Sequence, residues 1–277
     1  MKKYISKNGL IVLVIVTIFA ALYLSPLYFT FISAFKTNGE IMRDPVALPE
    51  SFLNFNNFIY LFQKTDYPRA FLNSVFLTLV SELLILIVVP MAAYGIERGN
   101  KKYTNILYVY FLMSMMIPFQ AYMIPLFKQM KVMGLFGTMA GPIVVYLAGS
   151  VSFGVLLFTS FLKGIPFEIE EAARIDGCGS FRTFWVIIFP LLKPVTATMV
   201  VLNGLGIWND FLMPMLVLPS GKPKTVNVEI YAFVDQFASR WDVVFAGVVV
   251  GIIPVLMIFL LLQQYFVKGI TAGAAKG

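Results

Sequence analysis

Residues 165–177 read Ile-Pro-Phe-Glu-Ile-Glu-Glu-Ala-Ala-Arg-Ile-Asp-Gly and gather four carboxylates and one guanidinium within thirteen positions. Such a cluster can move protons, hold a cation or dock a partner. The rest of the sequence narrows that choice. It has no His and a single Cys, Cys178, which excludes an internal disulfide, a zinc site of the usual kind and histidine acid–base chemistry. There is no Gly-x-x-x-x-Gly-Lys-Ser/Thr loop, because Gly221-Lys222 runs into Pro223 and lacks the earlier Gly, so ATP is not bound in that way. Docking remains. Pro166 suits a first helical turn, Glu168, Glu170 and Glu171 complement the positive end of a helix dipole, and Gly177 suits a left-handed stop. The spacing predicts a helix of about ten residues. In it Glu170 and Arg174 pair at i and i+4, while Ile169, Ala172 and Ala173 share a face small enough for close approach. Ser180 is placed to cap a second short helix that ends before Pro190.

The element that must position this segment is a membrane. The 277 residues are 59% hydrophobic and 13% charged, against roughly half and a quarter in soluble domains. Charges are cleared from six windows, each long enough for the roughly 20 helical residues that cross a hydrocarbon core. The windows lie between Lys7 and Lys36, Arg69 and Glu97, Lys102 and Lys128, Lys131 and Lys163, Lys193 and Lys222, and Asp242 and Lys268. Only Glu82 and Asp210 interrupt them. Backbone groups in lipid must bond within their own segment, so each window is read as a helix. The alternating polarity of a membrane barrel is absent. The predicted fold class is an all-α integral membrane protein with six transmembrane helices. The first window is longer than a signal-peptide core and lacks a clear small-x-small site before Lys36, so it is read as a retained helix.

With the amino terminus inside, residues 1–9, 97–104, 163–194 and 268–277 are cytoplasmic and carry 12 of the 21 Lys and Arg, the bias that the positive-inside rule expects. Both termini are then cytoplasmic, and Arg98, Lys101 and Lys102 form the best topological anchor. The net charge of +7 suits anionic lipid on that face and needs no nucleic acid. Three segments follow: 1–70 with the first helix and an external amphipathic stretch, 71–268 with five helices and the loop 163–194, and a cytoplasmic tail 269–277. Within 36–70, Phe52, Phe55, Phe58, Ile59 and Phe62 have an approximately helical spacing that predicts a helix on the membrane surface.

Glu171-Ala172-Ala173, then Gly177, then Ile187 and Pro190, with Asp176 and Pro194, resembles the EAA loop of permease subunits in binding-protein-dependent ABC importers. Ile117-Pro118-Phe119-Gln120 with Ile124-Pro125-Leu126, Trp208-Asn209-Asp210-Phe211-Leu212 with Pro214, and the ending Lys268-Gly269-Ile270-Thr271-Ala272-Gly273 resemble the maltose-type carbohydrate-uptake branch. The resemblance implies a type I ABC importer permease architecture in a bacterial or archaeal plasma membrane, with a cytoplasmic coupling helix. Glu170, Glu171, Ala172, Ala173, Asp176, Gly177, Ile187 and Pro190 would then couple to an ATPase. The implied partners are a second homologous permease subunit, two ABC ATPase subunits, an extracellular sugar-binding protein and a sugar. The chain itself would be non-catalytic and hold no cofactor, ATP and magnesium belonging to the ATPase subunits. The external loop Pro219 to Asp242, with Lys222, Lys224, Asp235, Arg240 and Trp241, lies on the face that receives the binding protein in that family.

Ionisable side chains are costly in lipid, so Glu82 and Asp210 are predicted to face protein or water. Ser74, Thr78, Ser81 and Glu82 form a stripe on span two, read first as helix-to-helix bonding. Asn203 and Asp210 share a face of span five, with Gly204 and Gly206 permitting close contact or bending. Gln120, Asn203, Asn209 and Asp210 are candidates for a sugar path, with helix-to-helix bonding as the competing role. Trp208, Trp241 and Tyr265 are read as interfacial anchors rather than sugar platforms. The alternative function is an ion-gradient-driven secondary sugar transporter. That class typically shows more spans, paired broken helices and a coupling-ion carboxylate cluster; here there are two isolated acids. A membrane enzyme using Ser-Lys or paired-carboxylate chemistry finds no supporting arrangement.

Overall fold

The structure, a computed structural model, describes residues 7–218, 224–235 and 240–274. Lys222, residues 275–277 of the tail and the side chains of Asp235 and Tyr265 lie outside the described residues. Every regular element among the described residues is helical. In order these are α1 (Lys7–Ser33), α2 (Asn38–Arg43), α3 (Asn56–Lys64), α4 (Tyr67–Arg98), α5 (Lys101–Ser114), α6 (Phe119–Val132) and α7 (Ala140–Leu162). Then come α8 (Glu168–Ile175), α9 (Ser180–Arg182), a π-helical stretch (Thr183–Ile188), α10 (Phe189–Leu191), α11 (Lys193–Asn209), α12 (Leu212–Val217), α13 (Val226–Asp235) and α14 (Trp241–Ala274).

Four of these, α1, α4, α7 and α14, are each long and apolar enough to cross a bilayer. The remaining two expected spans are broken rather than straight. Within the third window α5 meets α6 at 102°, while the fifth window holds α11 and α12, separated at Asp210–Phe211, and α11 meets the preceding run Ser180–Leu191 of the loop at 78°; the count reaches six when each bent pair is taken as one crossing. Proline explains both bends. Pro118 is the N-cap of α6 and steers Ile117 out of the helical region, while Pro194 opens α11 in its first turn. The second short helix also differs from the expectation. Its N-cap is Gly179, Ser180 makes no side-chain cap, and the run continues through Pro190 to Leu191. The π-helical stretch just ahead of the ring supplies the local widening that lets this run accept proline.

The chain packs as two compact units. One comprises residues 1–68 and 229–253. Here α1 keeps its apolar side chains exposed from residue 11 to residue 28, as a helix solvated by lipid does. Its C-terminal end is pinned by polar groups: the Asn57 amide donates to the carbonyls of Ala34 and Lys36 at 2.9 and 2.8 Å. The buried Lys36 ammonium donates to the carbonyls of Asp44 and Pro45, both at 3.0 Å. The surface helix is shorter than its aromatic spacing predicted. Phe52 and Phe55 precede it and reach the Phe35 ring from the loop, so contact with Phe35, not helical register, sets their positions.

The other unit comprises residues 69–228 and 254–277. Its core joins α4 (Leu77, Ile85, Val89, Ala93), α7 (Phe158, Leu162), the π-helical stretch (Phe184, Ile188) and α11 (Val195, Met199). Small residues allow the closest approach, the usual device where lipid supplies no hydrophobic drive between helices. At Gly154 of α7 an added Cβ would overlap both Val89 and Met199. Gly204 and Gly206 do not act this way, since a Cβ at either meets nothing within 4 Å. Gly154→Val is therefore expected to lower the stability of the purified protein by about 1–3 kcal/mol, the usual penalty of overpacking, read as a fall in thermal midpoint. Gly204→Ala should leave that midpoint unchanged.

Candidate functional site

The loop cluster forms a short, firmly held helix. α8 ends in a Schellman arrangement: Cys178 N–H donates to the Ala173 carbonyl at 2.9 Å and Gly177 N–H to the Arg174 carbonyl at 3.0 Å. Gly177 sits at φ +82°, as its left-handed stop requires. The face called small and approachable is split. Ala173 is buried beside Glu170, while Ile169, Glu171, Ala172 and Asp176 are exposed and Ile175 is 87% exposed. Ile187 is half-buried against the core and Pro190 is exposed.

Glu170 does not pair with Arg174. Its side chain is completely buried, and both carboxylate oxygens are bonded to α4. Arg98 Nε donates to Oε1 at 2.7 Å and the Tyr94 hydroxyl donates to Oε2 at 2.6 Å. Arg98 Nη2 also reaches the carbonyls of Ile165 and Leu162 at 2.9 and 3.3 Å. The Phe167 ring lies beneath both guanidiniums, with Arg98 Cζ at 5.8 Å and Arg174 Cζ at 5.6 Å from its centroid. A buried carboxylate is expensive unless paired and fully hydrogen-bonded, and the end of α4 meets both conditions. The i and i+4 rule describes an isolated helix surface; here the tertiary partner is closer and drier.

A cavity of about 270 Å³ brings together part of the second candidate set. Asn203 and Asp210 line it with Phe119, Tyr122, Tyr146 and Ser150. Gln120 and Asn209 are exposed and do not line it. Asp210 is heavily committed. Its Oδ2 accepts from the Tyr146 hydroxyl at 2.9 Å, and its Oδ1 accepts from the amides of Leu212 and Met213 at 2.9 and 3.3 Å. It thus caps α12 where α11 stops. The Asn203 side-chain nitrogen is buried beside the cavity with no hydrogen-bond partner among the described residues. Trp208 is buried and packs edge-on against Phe71 at 5.7 Å, so it is no lipid-facing anchor.

The span-two stripe is only partly helix-to-helix bonding. Ser74 Oγ accepts from the Val226 amide at 2.9 Å. Thr78 Oγ1, Ser81 Oγ and both Glu82 oxygens are buried without a partner among the described residues.

Residues 87–272 match the family described as the binding-protein-dependent transport system inner membrane component. The chain belongs to that family. Among related members, the probable starch degradation products transport system permease protein AmyC of Thermoanaerobacterium thermosulfurigenes is 38% identical over 259 residues, 94% of either chain. The arabinooligosaccharides transport system permease protein AraQ of Bacillus subtilis (strain 168) is 33% identical over 259 residues, 92% of either chain. The inner-membrane component also shares its fold with a chain of a bacterial ABC transporter involved in the import of the acidic polysaccharide alginate, at a TM-score of 0.84 and 24% identity, covering 96% of this chain and 100% of that one. The all-helical importer-permease architecture expected from the sequence is the one observed.

Tyr94, Arg98, Ile175, Tyr122 and Tyr146 were not singled out from the sequence as site residues. Arg98 was visible only as part of a positive loop, and the tyrosines carry no spacing signal because they come from separate helices. Replacing Asp210 with Ala leaves two amides and a tyrosyl hydroxyl, exposed or half-buried, without their acceptor, a loss of about 1 kcal/mol, the net worth of a typical hydrogen bond. The expected outcome is a lower thermal midpoint, with Asp210→Asn closer to wild type because it keeps an acceptor oxygen. Asn203→Ala should leave the midpoint within a degree or two.

Proposed function

We propose that this inner-membrane component is the permease subunit of an ATP-driven importer that carries a sugar or oligosaccharide. It would work with a second, homologous permease, two ATPase subunits that bind ATP and magnesium, and an extracellular sugar-binding protein. The observation that carries the reading is α8: a helix locked from behind by a fully buried carboxylate that turns an outer face of Glu171, Ala172, Ile175 and Asp176 away from the rest of its unit. A rigid helix with an exposed isoleucine among charges suits a protein groove better than open solvent. Motion of an ATPase gripping it would reach the spans as a rigid-body displacement. In this reading α8 and both termini are cytoplasmic, and the chain catalyses no bond cleavage itself.

The aromatic and amide lining of the cavity supports a sugar cargo. Phe119, Tyr122 and Tyr146 offer flat faces, and Asn203 offers an unspent donor for a hydroxyl. Asp210 in this scheme holds the wall in shape. The relatives AmyC and AraQ, named for the transport of starch degradation products and arabinooligosaccharides, point the same way.

The test is reconstitution of the full assembly in proteoliposomes. Sugar uptake should require ATP and binding protein and persist when proton and sodium gradients are collapsed. Glu171→Lys and Gly177→Leu should each cut uptake at least tenfold with insertion unchanged, the second because φ +82° is strained for any side chain. Uptake that survives both changes, or that follows an ion gradient without ATP, overturns the reading.

A further inference from the structure

The covalent tethers of α8 are poor transmitters of movement. On one side lies the five-residue link 163–167 with Gly164, and on the other Gly177 and Gly179 flank Cys178. Neither Gly177 nor Gly179 is braced by a neighbour within 4 Å of an added Cβ. Helices joined through such links tilt independently unless side chains fix them. The strongest side-chain connection α8 makes runs to the end of α4, an element that is remote in sequence.

We propose that Arg98 and Tyr94 are positioning residues forming a joint with Glu170, and that through it α8 and α4 move as one body. This deepens the reading in which α8 docks on an ATPase and rests on it. Three features support the joint. Both oxygens of a fully buried carboxylate are held, one by a guanidinium at 2.7 Å and one by a phenol at 2.6 Å, so the link resists rotation as well as stretching. The same guanidinium bonds the carbonyls of Leu162 and Ile165, which fixes the approach to α8 at the end of α7. The Tyr94 ring also packs on Phe184 of the π-helical stretch at 5.0 Å, bringing the segment after α8 to the same point on α4. Arg98 and Glu170 side chains are only 15% and 1% exposed, so salt screens the pair weakly. Force applied to α8 thus enters the membrane first through α4, the helix that also carries the buried Glu82, whose oxygens have no partner among the described residues.

The assembled transporter tests this with two readouts. The first is sugar transported per ATP hydrolysed. Arg98→Ala should leave the ATPase subunits bound and hydrolysing while this ratio falls at least tenfold. Tyr94→Phe, which keeps the ring on Phe184, should give a smaller fall. Arg98→Glu combined with Glu170→Arg should recover part of the ratio lost by either alone. The second readout is a spin-label distance between cysteines at Met91 on α4 and Glu168 on α8, in a Cys178→Ser background. It should not change between nucleotide-free and ATP-bound states in the parent, and should change once Arg98 is Ala. An unaltered transport ratio in Arg98→Ala, or a parent distance that changes with nucleotide, overturns the joint. Failure of the docking reading looks different: ATPase subunits would then stay bound and coupled in Glu171→Lys.

Discussion

Lipid offers no hydrogen-bond partner to the backbone, and the whole architecture follows from that lack. The described chain answers it with helices throughout. Departures from helix occur where a side chain or a tight turn takes over the orphaned groups. Asp210 receives two amides at the start of α12, the Asn227 side chain donates to the Trp208 carbonyl near the end of α11, and the amides of Gly177 and Cys178 fold back on α8. These breaks sit beside polar or glycine residues, others sit at Pro118 and Pro194, and the one at Asp210 also shapes the cavity.

The same scarcity of solvent makes buried charge a decision rather than an accident. Glu170 and Glu82 are both carboxylates in dry surroundings, with 0% and 8% exposure. One has every oxygen matched by α4, and the other has none matched among the described residues. A matched group fixes two elements in one geometry, because removing either partner strands a charge. The loop helix accordingly belongs mechanically to a span far from it in sequence.

Division of labour between the two polar residues on span five has a similar origin. They are seven positions apart and share a helix face, yet Asp210 sits at the helix end, where free amides await an acceptor, whereas Asn203 sits mid-helix, where none are free. Position along the helix, not residue chemistry alone, decides that one supports the cavity wall and the other keeps a donor with no partner among the described residues.

The six apolar windows, the all-helical class and the loop helix with its glycine stop were legible in the sequence because each depends on local properties: hydrophobic length, dipole charge and the conformational freedom of one glycine. Four windows became single long helices; the third was broken at Pro118 and the fifth between α11 and α12 at Asp210–Phe211. What the sequence left open was every choice of partner. Glu170 had Arg174 one turn away and took Arg98, 72 positions earlier, because burial strengthens the drier pair. Ala172 and Ala173, alike in composition, were sorted to opposite environments by the packing of α8. Gln120 and Asn209 fell outside the cavity while Tyr146 entered it, since the cavity is made where helices from distant parts of the chain converge. Hydrophobic length is written along one dimension, and the company a polar group keeps is settled only in three.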